Sequence, residues 1–247
     1  MIKFFRKIRQ RLLSENKFSK YLIYAIGEII LVVLGILIAL YVNNWNQKKA
    51  DARKEKALFE QFIIDLKSDA LRMKNVLEIS KEQEEIAQYY FNKTNNIESS
   101  SDSINLNSFT AAIRIPNSFK SKNQNFVDQI NDKELYNILV EYMYTEKSYL
   151  DGLTWTNSFI RDRIRNYLGK NKAFNLNAVF SEKPIKEVFS ESGLLHNTEQ
   201  FQKLYVDGEF ENILFTSKMQ SYSNINAANT LLEKNKNLIK ELKKRIK

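Results

Sequence analysis

The sequence predicts an all-α protein in which one transmembrane helix continues into an antiparallel helical bundle. Three observations predict it. Tyr21 to Val42 is an apolar run with a single charge, Glu28. No glycine lies between Gly35 and Gly152, and no proline precedes Pro116, so nothing breaks a helix leaving that run. Beyond it, apolar positions recur at helical spacing, and no alternating run is bounded by hairpin turns.

The span comes first. Fourteen of the twenty-two positions are Leu, Ile or Val. At ~1.5 Å per residue the run covers roughly 33 Å, about the depth of a bilayer's hydrocarbon core. A carboxylate near mid-bilayer costs on the order of 2.5–3.5 kcal/mol, and each central Leu, Ile or Val returns about 0.3–0.6, so the aliphatic residues outweigh Glu28. The sequence after Leu40 has no small-x-small cleavage site, which argues for an uncleaved anchor. Tyr21, Tyr24, Tyr41 and Trp45 sit near the two ends, where amphipathic rings anchor at the headgroup level.

Residues 1–20 read as a basic cytoplasmic arm. Lys3, Arg6, Lys7, Arg9, Arg11, Lys17 and Lys20 precede the span, against five basic residues in the twenty that follow it. Ile2, Phe4, Phe5, Ile8, Leu12 and Leu13 fall on one half of a helical wheel and most basic residues on the other. That pattern fits a helix lying on anionic lipid headgroups, with Lys3, Arg6, Lys7, Arg9 and Arg11 at the surface. The same charges also read simply as a topology signal. Both readings place the N-terminus in the cytoplasm and the rest beyond the inner (cytoplasmic) membrane.

The formal charge of +9 does not require nucleic acid, because the membrane flanks and the Lys243–Lys247 helix end supply much of the excess. With no cysteine and one histidine, His196, a zinc site of the usual kind cannot be assembled, and no cofactor is expected. Glu82, Glu84 and Glu85 lack the ligand spacing of a calcium loop. Ser14-Glu-Asn-Lys17 matches S-x-x-K only by letter, and an enzyme is not expected.

Residues 43–58 are expected to form a helical stalk and 59–247 the bundle. The first bundle helix ends near Asn92, with Phe59, Phe62, Leu66, Met73, Val76, Ala87 and Tyr90 as its seam; Asp69, Ser80 and Gln83 interrupt that seam. Thr94–Asn107 is an exposed Ser/Asn-rich loop, and Ser108–Asn125 is short helix and loop around Pro116. Asn131 to Glu134 resembles a capping box opening a helix to about Leu168, with Gly169 as its stop. Its stripe is Leu135, Leu139, Tyr142, Tyr149, Leu153, Ile160, Ile164 and Tyr167. Asn197 offers another cap, and a last helix runs from about Glu209 to Ile246.

The segment from Phe4 to Asn46, above all Gly27-Glu28, Leu34-Gly-Ile-Leu-Ile-Ala-Leu40 and Asn43-Asn-Trp-Asn46, resembles a family of small bacterial membrane proteins of unknown function found mainly in the Bacteroidota. Looser likeness continues at Asn131–Leu135 and Phe210–Ile213. The resemblance implies a single span with a helical remainder and assigns no activity.

Within the span, Gly27, Leu31, Gly35 and Ala39 recur every four residues, with Glu28 bordering them. This stripe is read as a helix–helix contact, to a second copy or to another membrane protein; the bland alternative is a Glu that snorkels to the interface. Tyr142, Tyr144, Tyr149, Trp155, Phe159 and Tyr167 are more aromatics than one core stripe needs; the favoured reading is that they fill the bundle core, the alternative that some line a pocket or partner surface. The leading expectation is a membrane-anchored interaction or scaffold protein, with a small-ligand sensory module signalling through the span as the alternative. A ligand-sized pocket buried in the bundle favours the sensor; an exposed apolar patch favours the scaffold.

Overall fold

The computed structural model describes residues 18–98, 106–176, 180 and 197–246. The basic arm (Lys3, Arg6, Lys7, Arg9, Arg11) and His196 lie outside the described residues. Every regular element among the described residues is helical. Helix α1 is Phe18–Thr94, 77 residues without a break, so the apolar helix does continue into the bundle. A 3-10 turn (Leu106–Thr110) and α2 (Phe119–Val127) precede α3 (Lys133–Phe159). A π-turn (Ile160–Arg165) leads into α4 (Asn166–Lys170). After α5 (Thr198–Lys203) and a second 3-10 turn (Leu204–Val206), α6 (Gly208–Ile246) closes the fold. The chain divides into two compact units, the second beginning at Leu58.

In the second unit, side-chain contacts fix the helix directions. Asn235 of α6 donates to the Leu66 carbonyl of α1 at 3.0 Å and to the Tyr142 hydroxyl of α3 at 3.1 Å. Further along α1 and α3, Gln88 meets Lys218, and Thr156 accepts from Asn224 at 3.0 Å. Residue numbers therefore rise together in α1 and α3 while they fall in α6. Two parallel helices need a long return connection, and residues 95–132 supply it, carrying α2.

The seam of α1 is unbroken. Phe59, Phe62, Leu66, Asp69, Met73, Val76, Ser80, Gln83, Ala87 and Tyr90 are all buried and alternate by three and four, a heptad pattern. The polar residues expected to interrupt it lie inside it. Gln83 spends its amide on the return connection, donating to the Ala111 carbonyl at 3.1 Å and the Ser108 carbonyl at 3.4 Å. The same connection is fastened from α3 and the π-turn. The Asn157 amide both accepts from the Ile113 N–H (2.7 Å) and donates to its carbonyl (2.8 Å), and Arg165 donates twice to the Thr110 carbonyl (3.1 and 2.8 Å). An irregular, partly buried segment must satisfy its buried backbone groups somewhere, and here side chains replace a sheet or helix ladder.

Two helix ends differ from expectation. The cap of α3 is Asp132, not Asn131: its carboxylate accepts from the Glu134 and Leu135 N–H groups, both at 3.0 Å. Glu134 therefore does not reach back to a cap; its side chain pairs with Arg245 at 3.2 Å. Gly169 does not stop the helix, because the left-handed residue is Lys172, at φ 54°. The Ala173 N–H bonds the Leu168 carbonyl (2.9 Å) and the Lys172 N–H bonds the Gly169 carbonyl (3.1 Å), the paired bonds of a Schellman ending. Helix α1 ends the same way, with Asn96 at φ 54° and Ile97 bonded back to Asn92 at 2.8 Å. Asn197 does cap α5, accepting from Gln200 at 3.3 Å.

Candidate interaction site

The first unit contributes an uncovered helix. Nearly every described side chain from Leu22 to Val42 is exposed, and none of its most apolar window is buried by the rest of the chain. The helix is long and apolar enough to cross a membrane. A Cβ added at Gly27 or Gly35 meets nothing within 4 Å, so the face carrying Gly27, Leu31, Gly35 and Ala39 is open, with Glu28 half-buried beside it. Tyr21 and Tyr24 lie in the helix, and Tyr41 and Trp45 are exposed. Lys49 places its ammonium 3.9 Å from the centre of the Trp45 ring.

In the second unit, an open groove of about 570 Å³ lies between the end of α1 and the start of α6. Ala87, Gln88 and Phe91 form one wall; Leu214, Phe215, Lys218 and Met219 form the other. The seams reach the floor of this groove at the buried Ala87 and Leu214 and continue through Tyr90 on α1 and Phe210 on α6, whose rings sit 6.0 Å apart. The outward face would then be polar in a self-contained bundle. Instead Phe91 is 45% exposed, Phe215 68% and Met219 52%, with Tyr222 one turn further along α6. Positions 215, 219 and 222 continue one helical stripe, the spacing by which a helix presents side chains to a partner.

A second open cleft, about 590 Å³, lies between α1 (Arg72, Asn75, Val76, Ile79) and residues Arg114, Ile115, Pro116 and Asn117. Behind it Asp69, Glu146 and Tyr149 line a chamber of only about 10 Å³, room for one water. The Glu146 carboxylate is spent on structure: it accepts from the N–H groups of Phe119 (2.6 Å) and Lys120 (3.2 Å) at the start of α2. Its burial nonetheless holds the carboxyl above the ordinary range.

The aromatics of α3 and α4 separate cleanly. Tyr142, Tyr149 and Tyr167 are core, whereas Tyr144 and Trp155 face outward, Trp155 stacked on Phe159 at 5.5 Å. Glu82, one of the acidic cluster, accepts from the Ser108 hydroxyl at 3.0 Å. Among the described residues no group of three or more His, Cys, Asp or Glu is placed to hold a metal. Sequence reading missed the groove because Phe215 and Met219 look like ordinary members of an apolar-rich helix; only the position of the seam exposes them.

Residues 28–114 match the model of a family of unknown function, DUF6090. The match covers about a third of the chain: most of the apolar run, the bundle portion of α1, and the return connection through Arg114. It overlaps the resemblance read from the sequence over 28–46, and leaves out the segments around 131–135 and 210–213. No curated protein and no solved structure matches the chain.

Proposed function

We propose that this chain is a membrane-anchored interaction protein of the bacterial envelope. In this reading residues 21–42 cross the inner membrane, the N-terminal arm lies on the cytoplasmic leaflet, and the helical bundle stands on the extracytoplasmic side. There it binds another envelope component, and no enzymatic activity is assigned. The observation that carries the reading is the uncovered apolar helix joined without a break to a bundle with its own core. Among the described residues no other part of the chain buries its Leu, Ile and Val side chains, and lipid is the environment that accounts for them. Among the described residues, two ligand-sized cavities open at the surface, and one carries exposed Phe and Met side chains. That favours a partner surface over an enclosed sensor pocket. The open face of Gly27, Gly35 and Ala39, with Glu28, supplies a second contact within the bilayer, to another copy or to a membrane partner.

Crosslinking in intact membranes, followed by identification of the captured species, tests the reading. A distinct protein captured from Phe215 or Met219 positions supports it; recovery of nothing from either surface contradicts it. If Glu28→Leu with Gly35→Leu leaves every intramembrane crosslink unchanged, the span contact is wrong. An alkaline-phosphatase fusion at the C-terminus should be active, and an inactive one reverses the topology.

A further inference from the structure

The apolar core of the bundle is not continuous. One cluster joins Phe59–Val76 of α1 to Leu135–Leu153 of α3 and Ala228–Leu242 of α6. A second joins Ile86 and Tyr90 to Ile160–Leu168, Phe201, Leu204 and Phe210–Leu214. Between them every helix turns small and polar at its seam: Ser80 and Gln83 on α1, Thr156 on α3, and Ser217, Ser221 and Asn224 on α6, all buried. At the waist Gln83, Thr156 and Asn224 are hydrogen-bonded, whereas the Ser80 and Ser217 hydroxyls are buried with no hydrogen-bond partner.

The two compartments differ in construction. Unbroken stretches of α1, α3 and α6 cross the first. The second is assembled from pieces: the last turns of α1, the π-turn, α4, α5, a 3-10 turn and the first turns of α6. Helix ends and short elements occupy the low-stability end of a native structure. A π-turn also interrupts the regular ladder of α3 just past Thr156.

We infer that the bundle is built as two cooperative units in series, and that the second compartment opens and recloses while the first stays folded. The groove walls Ala87, Phe91, Leu214 and Phe215 belong to the helix ends that build the labile compartment. On the proposed function, a partner seated there binds the closed form and shifts its population, so docking and ordering are one event. The polar waist confines that change to one half, because few apolar contacts cross it.

Native-state hydrogen exchange on the full chain in detergent micelles tests this without any partner. In low denaturant the amides of residues 160–168 and 208–216 should share one exchange isotherm. Those of residues 59–76 and 135–153 should share another, at least about 10-fold slower. Phe210→Ala removes a fully buried ring from the second compartment. It should raise exchange there by roughly 100-fold or more and leave residues 135–153 within a factor of three. A single isotherm for all helices in the unmodified chain, or equal acceleration in both compartments, overturns the inference. Because no partner is present, that failure is distinct from failure of the interaction reading.

Discussion

Glu146→Ala is the sharpest test of how the return connection is held. Glu146 is buried on α3, and its two carboxylate oxygens take the Phe119 and Lys120 N–H groups at 2.6 and 3.2 Å. Phe119 is itself fully buried, its ring edge-on to Phe62 at 5.4 Å and to Tyr142 at 5.6 Å. Alanine leaves one fully buried and one half-buried N–H without an acceptor. A buried orphan costs about 1–3 kcal/mol and the loss of a cap about 0.5–2. Ser118 still caps Ser121 at 2.9 Å, which limits the damage. The expected loss is roughly 2–4 kcal/mol, a large share of a typical domain's ~5–15. Glutamine retains one carbonyl oxygen for Phe119 and carries no charge, so Glu146→Gln should cost about 1 kcal/mol or less.

The pH dependence gives a second handle on the same residue. Burial raises the folded carboxyl's pKa, so its contribution is most favourable in acid and is lost as pH rises through that raised value. Glu146→Gln should therefore gain on the parent protein as pH rises from about 4.5 toward neutrality. Chemical denaturation in micelles, followed by circular dichroism at several pH values, measures both effects. An alanine variant within about 0.5 kcal/mol of the parent, or a glutamine variant as damaged as alanine, refutes the capping role.

Four further outcomes are expected. Lys172→Gly should stabilise by about 1 kcal/mol by relieving a left-handed lysine, and Gly169→Ala by about 0.5–1, since its new Cβ meets only the Phe174 ring at 3.7 Å; denaturation midpoints decide both. Asn235→Ala should cost about 2–3 kcal/mol, because the Leu66 carbonyl and Tyr142 hydroxyl lose their shared donor; a loss under about 0.5 counts against that three-helix junction. Arg245 donates to Asp132 (2.6 Å) and lowers its carboxyl pKa; the Glu241 carboxyl is lowered first by Lys244 (2.6 Å) and then by Arg245 (3.0 Å), so the stabilisation of both is present above the ordinary carboxylate range and lost as pH falls through the lowered values. Arg245→Met should flatten the acid limb of a stability–pH curve, and an unchanged limb argues against the pairing.

The helices and most of their buried faces were legible because apolar side chains at 3.6-residue spacing have one economical arrangement. Leu135, Leu139, Tyr142, Tyr149 and Leu153 are core, as their period requires. The polar seam positions were not legible. Asp69, Ser80 and Gln83 look like breaks because their partners are remote in sequence: Gln83 bonds the carbonyl of Ala111, and Asn157 bonds Ile113. The end of α4 was misplaced for a related reason. Gly169 is the residue with the intrinsic preference, but the hydrogen bonds that close the turn put Lys172 in the left-handed site. The span stands out from local composition alone. The groove depends on which faces of α1 and α6 meet, which single-helix periodicity does not fix.

Membrane insertion of α1 is tested most directly by site-directed labelling, since the chain has no cysteine to remove. In cells, Leu34→Cys should resist a membrane-impermeant maleimide until detergent and denaturant are added, whereas Ser148→Cys, exposed on the bundle, should react from outside the inner membrane at once. Ready labelling of Cys at position 34 in intact cells, or of neither position until the inner membrane is breached, would contradict a lipid-embedded helix carrying an extracytoplasmic bundle.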